Sequence, residues 1–261
     1  MFKFIRLRNH FNRCFSTGND NKWFGNLFVR KLDSVHESQS DLLAKSSTLY
    51  EFHIHNVKPA YMSEYLADYA RYNEMIKTKQ SGAELMGSWT TEIGEQDTAY
   101  HLWRFKDFPI LDKHYRLYRS DADFEEFRKR RNEMLYFRKN QILFPFSYWP
   151  EIQPRQSDDS IFELRSYTLK PGTMIEWGNH WARGIRVRKQ HSEPIAGLFT
   201  HVGDIHMVHH MWAYKDLEHR KKMRNEAWRN PGWDECVLHT VPLIRHMNSN
   251  ILRATKFSPI Y

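Results

Sequence analysis

Cysteine is scarce in this chain of 261 residues, which contains only Cys14 and Cys236. Neither belongs to a C-x-x-C pair, so a disulfide framework and a cysteine-based zinc site are excluded. No apolar run approaches the roughly 20 residues that a membrane-spanning helix needs. The sequence also lacks a G-x-S-x-G motif and a glycine-rich dinucleotide or phosphate loop, so it marks no catalytic residue and no cofactor.

Acidic residues are missing from residues 1–19, and these hold four of the cations behind the net charge of +8. Without those four cations, 35 basic residues face 31 acidic ones, and the two signs mix along the predicted helices. No RNA- or DNA-binding motif is present. The charge distribution therefore predicts no nucleic-acid partner.

Residues 1–19 predict a cleavable mitochondrial transit peptide. Their cations alternate with apolar residues, which favours an amphipathic helix with a cationic face, the form that import across an energised membrane requires. Arg13, Phe15 and Ser16 mark the candidate cleavage region. An ordinary basic tail is the alternative.

Residues 20–47 form a second predicted segment, amphipathic or extended. In a helix, Trp23, Leu27 and Phe28 would share one face, with cations beside them. Such a face suits peripheral contact with a membrane surface, and packing on the folded domain is an equal alternative.

Aromatic residues are abundant, at 15% of the chain, and predict a substantial core. After residue 47 the sequence repeats itself once. The matched segments, first copy and then second, are Tyr50-Glu51-Phe52 with Phe162-Glu163-Leu164, Lys58-Pro59 with Lys170-Pro171, Gly87-Ser88-Trp89 with Gly197-Leu198-Phe199, residues 101–107 with 210–216, and Phe144-Pro145-Phe146 with Val241-Pro242-Leu243.

Each copy predicts a β-α-β-β-α-β unit. In the first copy, alternation predicts strands at 49–57, 85–92 and 98–105, and helical spacing predicts a helix at 60–79. A second helix is predicted from Ser120-Asp121-Ala122-Asp123 to about residue 139, before a last strand at 142–146. We expect repeats at 48–147 and 160–261, joined by a linker at 148–159.

Two such units predict one architecture. Each gives a four-stranded antiparallel sheet with helices on one face, and the uncovered faces must be buried. Packing them together makes an α+β barrel from a single chain.

Several motifs resemble the NIPSNAP family, in its two-domain mitochondrial branch. They include His55-Asn56-Val57-Lys58-Pro59, Gly94-Glu95-Gln96-Asp97 and residues 170–179 and 209–216. The resemblance implies tandem ferredoxin-like repeats in an intrachain dimeric-α/β-barrel. It also implies residence in the mitochondrial matrix or on the matrix face of the inner membrane, and recognition by autophagy adaptors. It implies no established catalytic activity.

Two functions are therefore open. The first is a non-enzymatic scaffold linked to mitochondrial quality control, whose partners are autophagy adaptors or ubiquitin-like autophagy proteins. The second is an enzyme, or a protein that binds a small ligand or haem, using the cavity between the two sheets. Peripheral contact with the inner membrane and oligomerisation are compatible with either.

Repeated His-x-Trp-x-aromatic strands predict a candidate pocket between the sheets, if the side bearing Phe52 and Leu164 faces the helices. The alternative is a packed sheet face on which each histidine bonds to a neighbour. No fixed metal-ligand spacing is present among the 15 histidines. The candidate residues are Glu51, His53, His101, Trp103, Glu163, Arg165, His210 and Trp212.

The linker contains a candidate partner motif. Trp149 and Ile152 have the aromatic-x-x-aliphatic spacing of peptides that add a strand to ubiquitin-like autophagy proteins. Pro150 removes one backbone donor, and Trp149 could instead belong to the core.

Overall fold

The computed structural model describes residues 42–44, 46–157 and 159–261. The predicted transit peptide, with Arg13, Phe15 and Ser16, lies outside these residues, as does most of the predicted segment 20–47. Among the described residues, no helix has both the length and the apolar content that crossing a membrane requires.

The described part contains eight strands and six α-helices, divided evenly between the repeats. The first repeat comprises β1 (Leu49–Val57), α1 (Met62–Thr78), β2 (Glu84–Ile93), β3 (Thr98–Phe105), α2 (Phe108–Ser120), α3 (Ala122–Glu133) and β4 (Leu135–Pro145). The second comprises β5 (Ile161–Leu169), α4 (Met174–Arg188), β6 (Glu193–Val202), β7 (Met207–Tyr214), α5 (Leu217–Trp228), α6 (Trp233–Thr240) and β8 (Ile244–Ala254).

The strands close into one barrel in the order β1-β3-β2-β8-β5-β7-β6-β4. All neighbours are antiparallel, and the repeats join at two seams, where β2 pairs with β8 and β4 pairs with β6. This confirms the predicted α+β fold of two ferredoxin-like repeats in an intrachain α/β-barrel. The sequence predicts that the two sheets pack face to face. At the seams the two repeats are also joined by backbone hydrogen bonds between their strands.

The lumen of the barrel is filled mainly by apolar side chains from both repeats, including Tyr50, Phe52, Leu102, Phe162, Leu164 and Met211. Its buried polar groups bond to one another: His209 shares hydrogen bonds with Gln141 (2.8 Å) and Ser166 (2.8 Å). Burial lowers the pKa of His209 to about 4, so this histidine is neutral at physiological pH. The lumen is therefore a core shared by the two repeats.

The outer face of each sheet packs on the helices. Aspartates begin the corresponding helices α2 and α5 in the two repeats: Asp107 accepts a hydrogen bond from the Ile110 backbone N–H (3.0 Å), and Asp216 accepts one from His219 (2.7 Å). Asp121 begins α3 in the same way, as its sequence predicts.

The repeat alignment is confirmed on the central strands, where Trp103 lies opposite Glu51 and Trp212 lies opposite Glu163. On the second strand of each repeat it is wrong by one residue. Ser88 faces His101 and Gly197 faces His210, so Ser88, and not Gly87, corresponds to Gly197.

Two further details of the first repeat differ from prediction. The helix predicted to reach residue 139 ends at Glu133, because residues 135–143 pair with β1. An additional helix, α2, precedes it. The proposed match of Phe144-Pro145-Phe146 with Val241-Pro242-Leu243 is also wrong, since the first lies at the end of β4 and the second is a 3-10 turn before β8.

Candidate functional site

The eight candidate pocket residues do not face the lumen. Phe52 and Leu164 point inward, so the alternation of β1 and β5 turns Glu51 and Glu163 toward the helices. The predicted pocket between the sheets is therefore wrong in its location. The physical reason is that both sheet faces are buried: the more apolar set fills the shared lumen, and helix side chains supply hydrogen-bond partners for the more polar set.

In the first repeat, Glu51 is buried with three partners. Its Oε1 accepts hydrogen bonds from Asn140 (2.5 Å) and Tyr115 (2.8 Å), and His53 Nε2 lies 3.1 Å away. Burial raises the pKa of Glu51, but its interaction with His53 and the hydrogen bonds from Asn140 and Tyr115 outweigh burial and lower the pKa to about 2. Glu51 is therefore an anion held by neutral or weakly basic groups.

In the second repeat, Glu163 has the same position but cationic partners. Its Oε1 accepts hydrogen bonds from Arg220 (2.6 Å), Arg165 (2.8 Å) and Ser249 (2.9 Å), and Arg224 lies 3.8 Å from Oε2. Burial raises the pKa of Glu163, but the hydrogen bond from Arg220 and the charges of the arginines lower it to about 2. One carboxylate thus stabilises three guanidinium groups.

The two clusters are built at equivalent places. His53 faces Asn140 across β1 and β4, as Arg165 faces Ser249 across β5 and β8. The fold therefore presents one carboxylate position twice, between the sheet and the helices, with different chemistry each time.

His101 and Trp103 are tied to α1. His101 shares hydrogen bonds with Ser88 (2.9 Å) and Tyr65 (2.8 Å), and its ring stacks on Tyr69 at 3.6 Å between centroids. Trp103 donates to the Tyr69 hydroxyl (3.0 Å). Burial lowers the pKa of His101, so it remains neutral. This is the packed, hydrogen-bonded sheet face that the sequence left as the alternative.

His210 has lost the equivalent partners. Gly197 replaces the serine, and the Trp149 ring occupies the space beside it, 4.5 Å from the His210 ring between centroids. Neither ring nitrogen of His210 has a hydrogen-bond partner in the described part of the chain. Burial lowers the pKa of His210 as well. The second repeat therefore surrounds its central histidine with more aromatic rings than the first, and it leaves that histidine without the hydrogen bonds that His101 makes.

The candidate partner motif is wrong because both of its side chains are buried. Trp149 is 7% exposed and packs against His210 and Trp212, and Ile152 is 2% exposed among the lumen side chains. A peptide motif must present both side chains to its partner, and these two are core residues.

A cavity of about 160 Å³ lies on the helix side of the second sheet. Among the described residues, its lining includes five tryptophans and three arginines and no acidic residue. These residues are Trp177, Trp181, Trp212, Trp228, Trp233, Arg165, Arg188 and Arg224. The exposed side chains of Trp228, Val241 and Met247 belong to the lining and mark its opening.

The equivalent cavity of the first repeat is smaller and more polar. It has a volume of about 110 Å³, and Glu51, His53, His55, His114 and Arg138 are in its lining. Burial lowers the pKa of His55, and it lowers the pKa of His114 to about 4. Among the described residues, no group of three or more histidine, cysteine or acidic side chains converges as metal ligands would.

Sequence reasoning missed the helix residues of these clusters. Tyr115, Arg188, Arg220 and Arg224 lie on helices whose mixed charges resemble a solvated face. One available signal was the match of residues 101–107 with 210–216, since it places Tyr115 and Arg224 at equivalent positions of the helices that follow.

Comparison with known proteins agrees with this architecture. A putative monooxygenase from Fusobacterium nucleatum has a similar structure, with a TM-score of 0.62 over 81% of this chain and 94% of that chain. At 12% sequence identity, this likeness shows the fold alone.

Sequence relatives are much closer. The chain is 47% identical to protein NipSnap homolog 2 of Danio rerio, over 92% of this chain and 85% of that protein. It is 46% identical to the Homo sapiens protein NipSnap homolog 2, with the same coverage, and 43% identical to protein NipSnap of Drosophila melanogaster, over 94% and 90%. The NIPSNAP family model matches residues 50–150 and 162–259. The chain therefore belongs to the NIPSNAP family.

Proposed function

We propose that this chain is a non-enzymatic mitochondrial scaffold that takes part in quality control by binding autophagy adaptors or ubiquitin-like autophagy proteins. One observation carries the proposal: in the described part of the chain, the first half of β4 has no strand on its outer edge. β1 pairs with β4 from Leu135 to Leu143, whereas β6 covers only Ile142–Pro145. Gly203 and Asp204, in the turn after β6, lie against residues 139–141. Among the described residues, no strand pairs with the outer side of residues 135–138, which is therefore open to an added strand.

The side chains at this edge suit a protein partner. Tyr136 is 68% exposed and Phe137 is 46% exposed. Successive residues of a strand point to opposite faces, so the two rings can hold an added strand from both sides. Among the described residues, Arg138 has no acidic side chain within ion-pairing distance, and the ionisable groups that act on its pKa are Arg131 and Tyr118. We therefore expect the partner to contribute an extended segment that contains an acidic residue.

The second function, an enzyme or haem-binding protein using the cavity between the sheets, finds less support. The lumen is mainly apolar, and His209, its buried histidine, is already bonded to Gln141 and Ser166. A surface function is the better match to a barrel whose interior serves as a core.

Replacing Tyr136 and Phe137 together by serine is expected to weaken binding to purified autophagy adaptors or ubiquitin-like autophagy proteins about tenfold or more. The matched control is Arg245→Ser with His246→Ser, because these residues hold the equivalent positions on β8. Both double variants change exposed residues, so their thermal midpoints should stay within about 2 °C of the original protein. Binding is measured by titration calorimetry.

Two outcomes would contradict this proposal. Equal binding by the original chain and the β4 variant would exclude the edge, and no binding to any of these partners would exclude the partner class. Location is checked separately in cultured cells, where a reporter that carries residues 1–40 is expected in mitochondria. A cytosolic reporter would rule out import through this segment.

A further inference from the structure

The aromatic cavity of the second repeat has the size of a small ligand. A cavity of about 150 Å³ lined by apolar side chains is large enough to bind benzene, and this one has a volume of about 160 Å³. Tryptophan rings form much of its wall, and flat aromatic walls favour stacked or edge-on contact with another ring. The space therefore fits a single aromatic ring with a short substituent.

A buried cation lies in the same wall. Arg188 is 2% exposed, and its guanidinium donates to the Tyr214 hydroxyl (3.0 Å) and the Met223 carbonyl (3.3 Å). Within the described ranges, no carboxylate lies within ion-pairing distance of it. Arginine keeps its charge even when buried, so Arg188 is an uncompensated cation.

The nearby carboxylate is already engaged. Glu163 is held by Arg165, Arg220 and Arg224, which leaves Arg188 as the fourth cation for one anion. The Arg188 guanidinium instead lies over Trp212 and Trp233, at 5.3 and 5.6 Å from the ring centroids. A bound anion would supply the missing negative charge.

Two donors in the cavity lining are also unused. The indole N–H groups of Trp177 and Trp181 are buried and have no partner among the described residues. The wall therefore combines a planar cation with aromatic surfaces, and two of its tryptophans have buried N–H groups without a partner.

We propose that this cavity binds a small aromatic carboxylate, with its carboxylate near Arg188 and its ring among the tryptophans. The planar guanidinium matches a carboxylate geometrically. The apolar walls disfavour a free phosphate, which would lose its hydration without enough polar partners. The inference goes beyond the proposed scaffold function and does not depend on the β4 edge.

The test uses the purified full chain and 4-fluorophenylacetate, followed by fluorine NMR titration. We expect a Kd below about 1 mM, which is reasonable for a ligand of this size. The neutral analogue 4-fluorophenylacetamide should bind at least about tenfold more weakly, because it lacks the charge that Arg188 requires.

Three variants locate the site. Arg188→Gln removes the cation, and Val237→Phe fills the cavity without changing its charge; both should lower affinity about tenfold or more. Arg183→Gln is the matched control, because Arg183 lies on the same helix with 71% of its side chain exposed, and it should leave affinity unchanged. If Arg188→Gln fails to fold, Val237→Phe decides the location.

The proposal is overturned if the acid does not bind the original chain with a Kd below about 1 mM, or if acid and amide bind equally. It is also overturned if the affinity of folded Val237→Phe equals that of Arg183→Gln. Loss of acid binding in Val237→Phe, with binding kept in Arg183→Gln, supports it.

Discussion

Replacing Trp149 by alanine is expected to lower the free energy of unfolding by about 3–5 kcal/mol. The ring is buried against His210, Trp181 and Trp212, and it fills the space that Gly197 leaves beside the sheet. Alanine would leave a cavity there, because the surrounding strands and α4 are fixed by their own pairing and packing. For a chain of this size, the thermal midpoint should fall by about 6–15 °C.

The matched control for this change is Trp228→Ala. Trp228 belongs to the same repeat but is 55% exposed, so its removal should cost less than about 1 kcal/mol. Urea unfolding monitored by circular dichroism measures both variants. Similar stability of Trp149→Ala and the original chain would show that the linker residue does not belong to the core.

Replacing Glu163 by glutamine is expected to cost about 3–5 kcal/mol of folding stability. The substitution keeps the shape of the side chain but leaves Arg165, Arg220 and Arg224 clustered around a neutral group. Glu51→Gln is the matched control, since Glu51 has the equivalent position but its hydrogen-bond donors include neutral Tyr115 and Asn140. We expect the control to cost about 1 kcal/mol.

The pH dependence of stability provides a second measurement on the same variant. The pKa of Glu163 in the folded chain is about 2, below its usual value of 4.5. Its contribution to stability is therefore complete above about pH 5 and is lost as the pH falls toward 2. Between pH 5 and pH 3, stability should fall less steeply in Glu163→Gln than in the original chain. Equal slopes would show that Glu163 is not the stabilising anion.

The strand pattern and the internal repeat predict most of the barrel, because alternation and matched segments are local features of the sequence. The orientation of the sheets was not predictable in this way. Both faces of β1 are buried, so Phe52 and Glu51 each lie on an interior side, and only the closed barrel decides which side is the lumen.

Long-range packing also explains the other differences. Trp149 lies in a polar, proline-containing segment that is typical of a surface linker. Its ring is nevertheless buried, because Gly197 has no side chain and leaves space for it. Arg188 lies in the basic last turn of α4, where a cation usually caps a helix at the surface. Its burial depends on α5 and α6 packing over it, which no local pattern shows.

The difference between the two repeats is the feature most relevant to function. The first repeat places His53 and Tyr115 around its carboxylate, whereas the second places arginines there and opens an aromatic cavity beside them. The two carboxylates hold equivalent positions on β1 and β5, whereas the side chains around them and the helix that follows α5 differ. The second repeat is therefore where we expect a small ligand.

The central claim is that the two repeats complete one barrel and that neither forms it alone. The most direct measurement is the mass of residues 42–157, expressed alone, by sedimentation equilibrium. This fragment exposes the lumen face of its sheet and the unpaired edges of β2 and β4, so we expect a dimer or insoluble protein. A soluble monomer with cooperative unfolding would contradict the shared barrel.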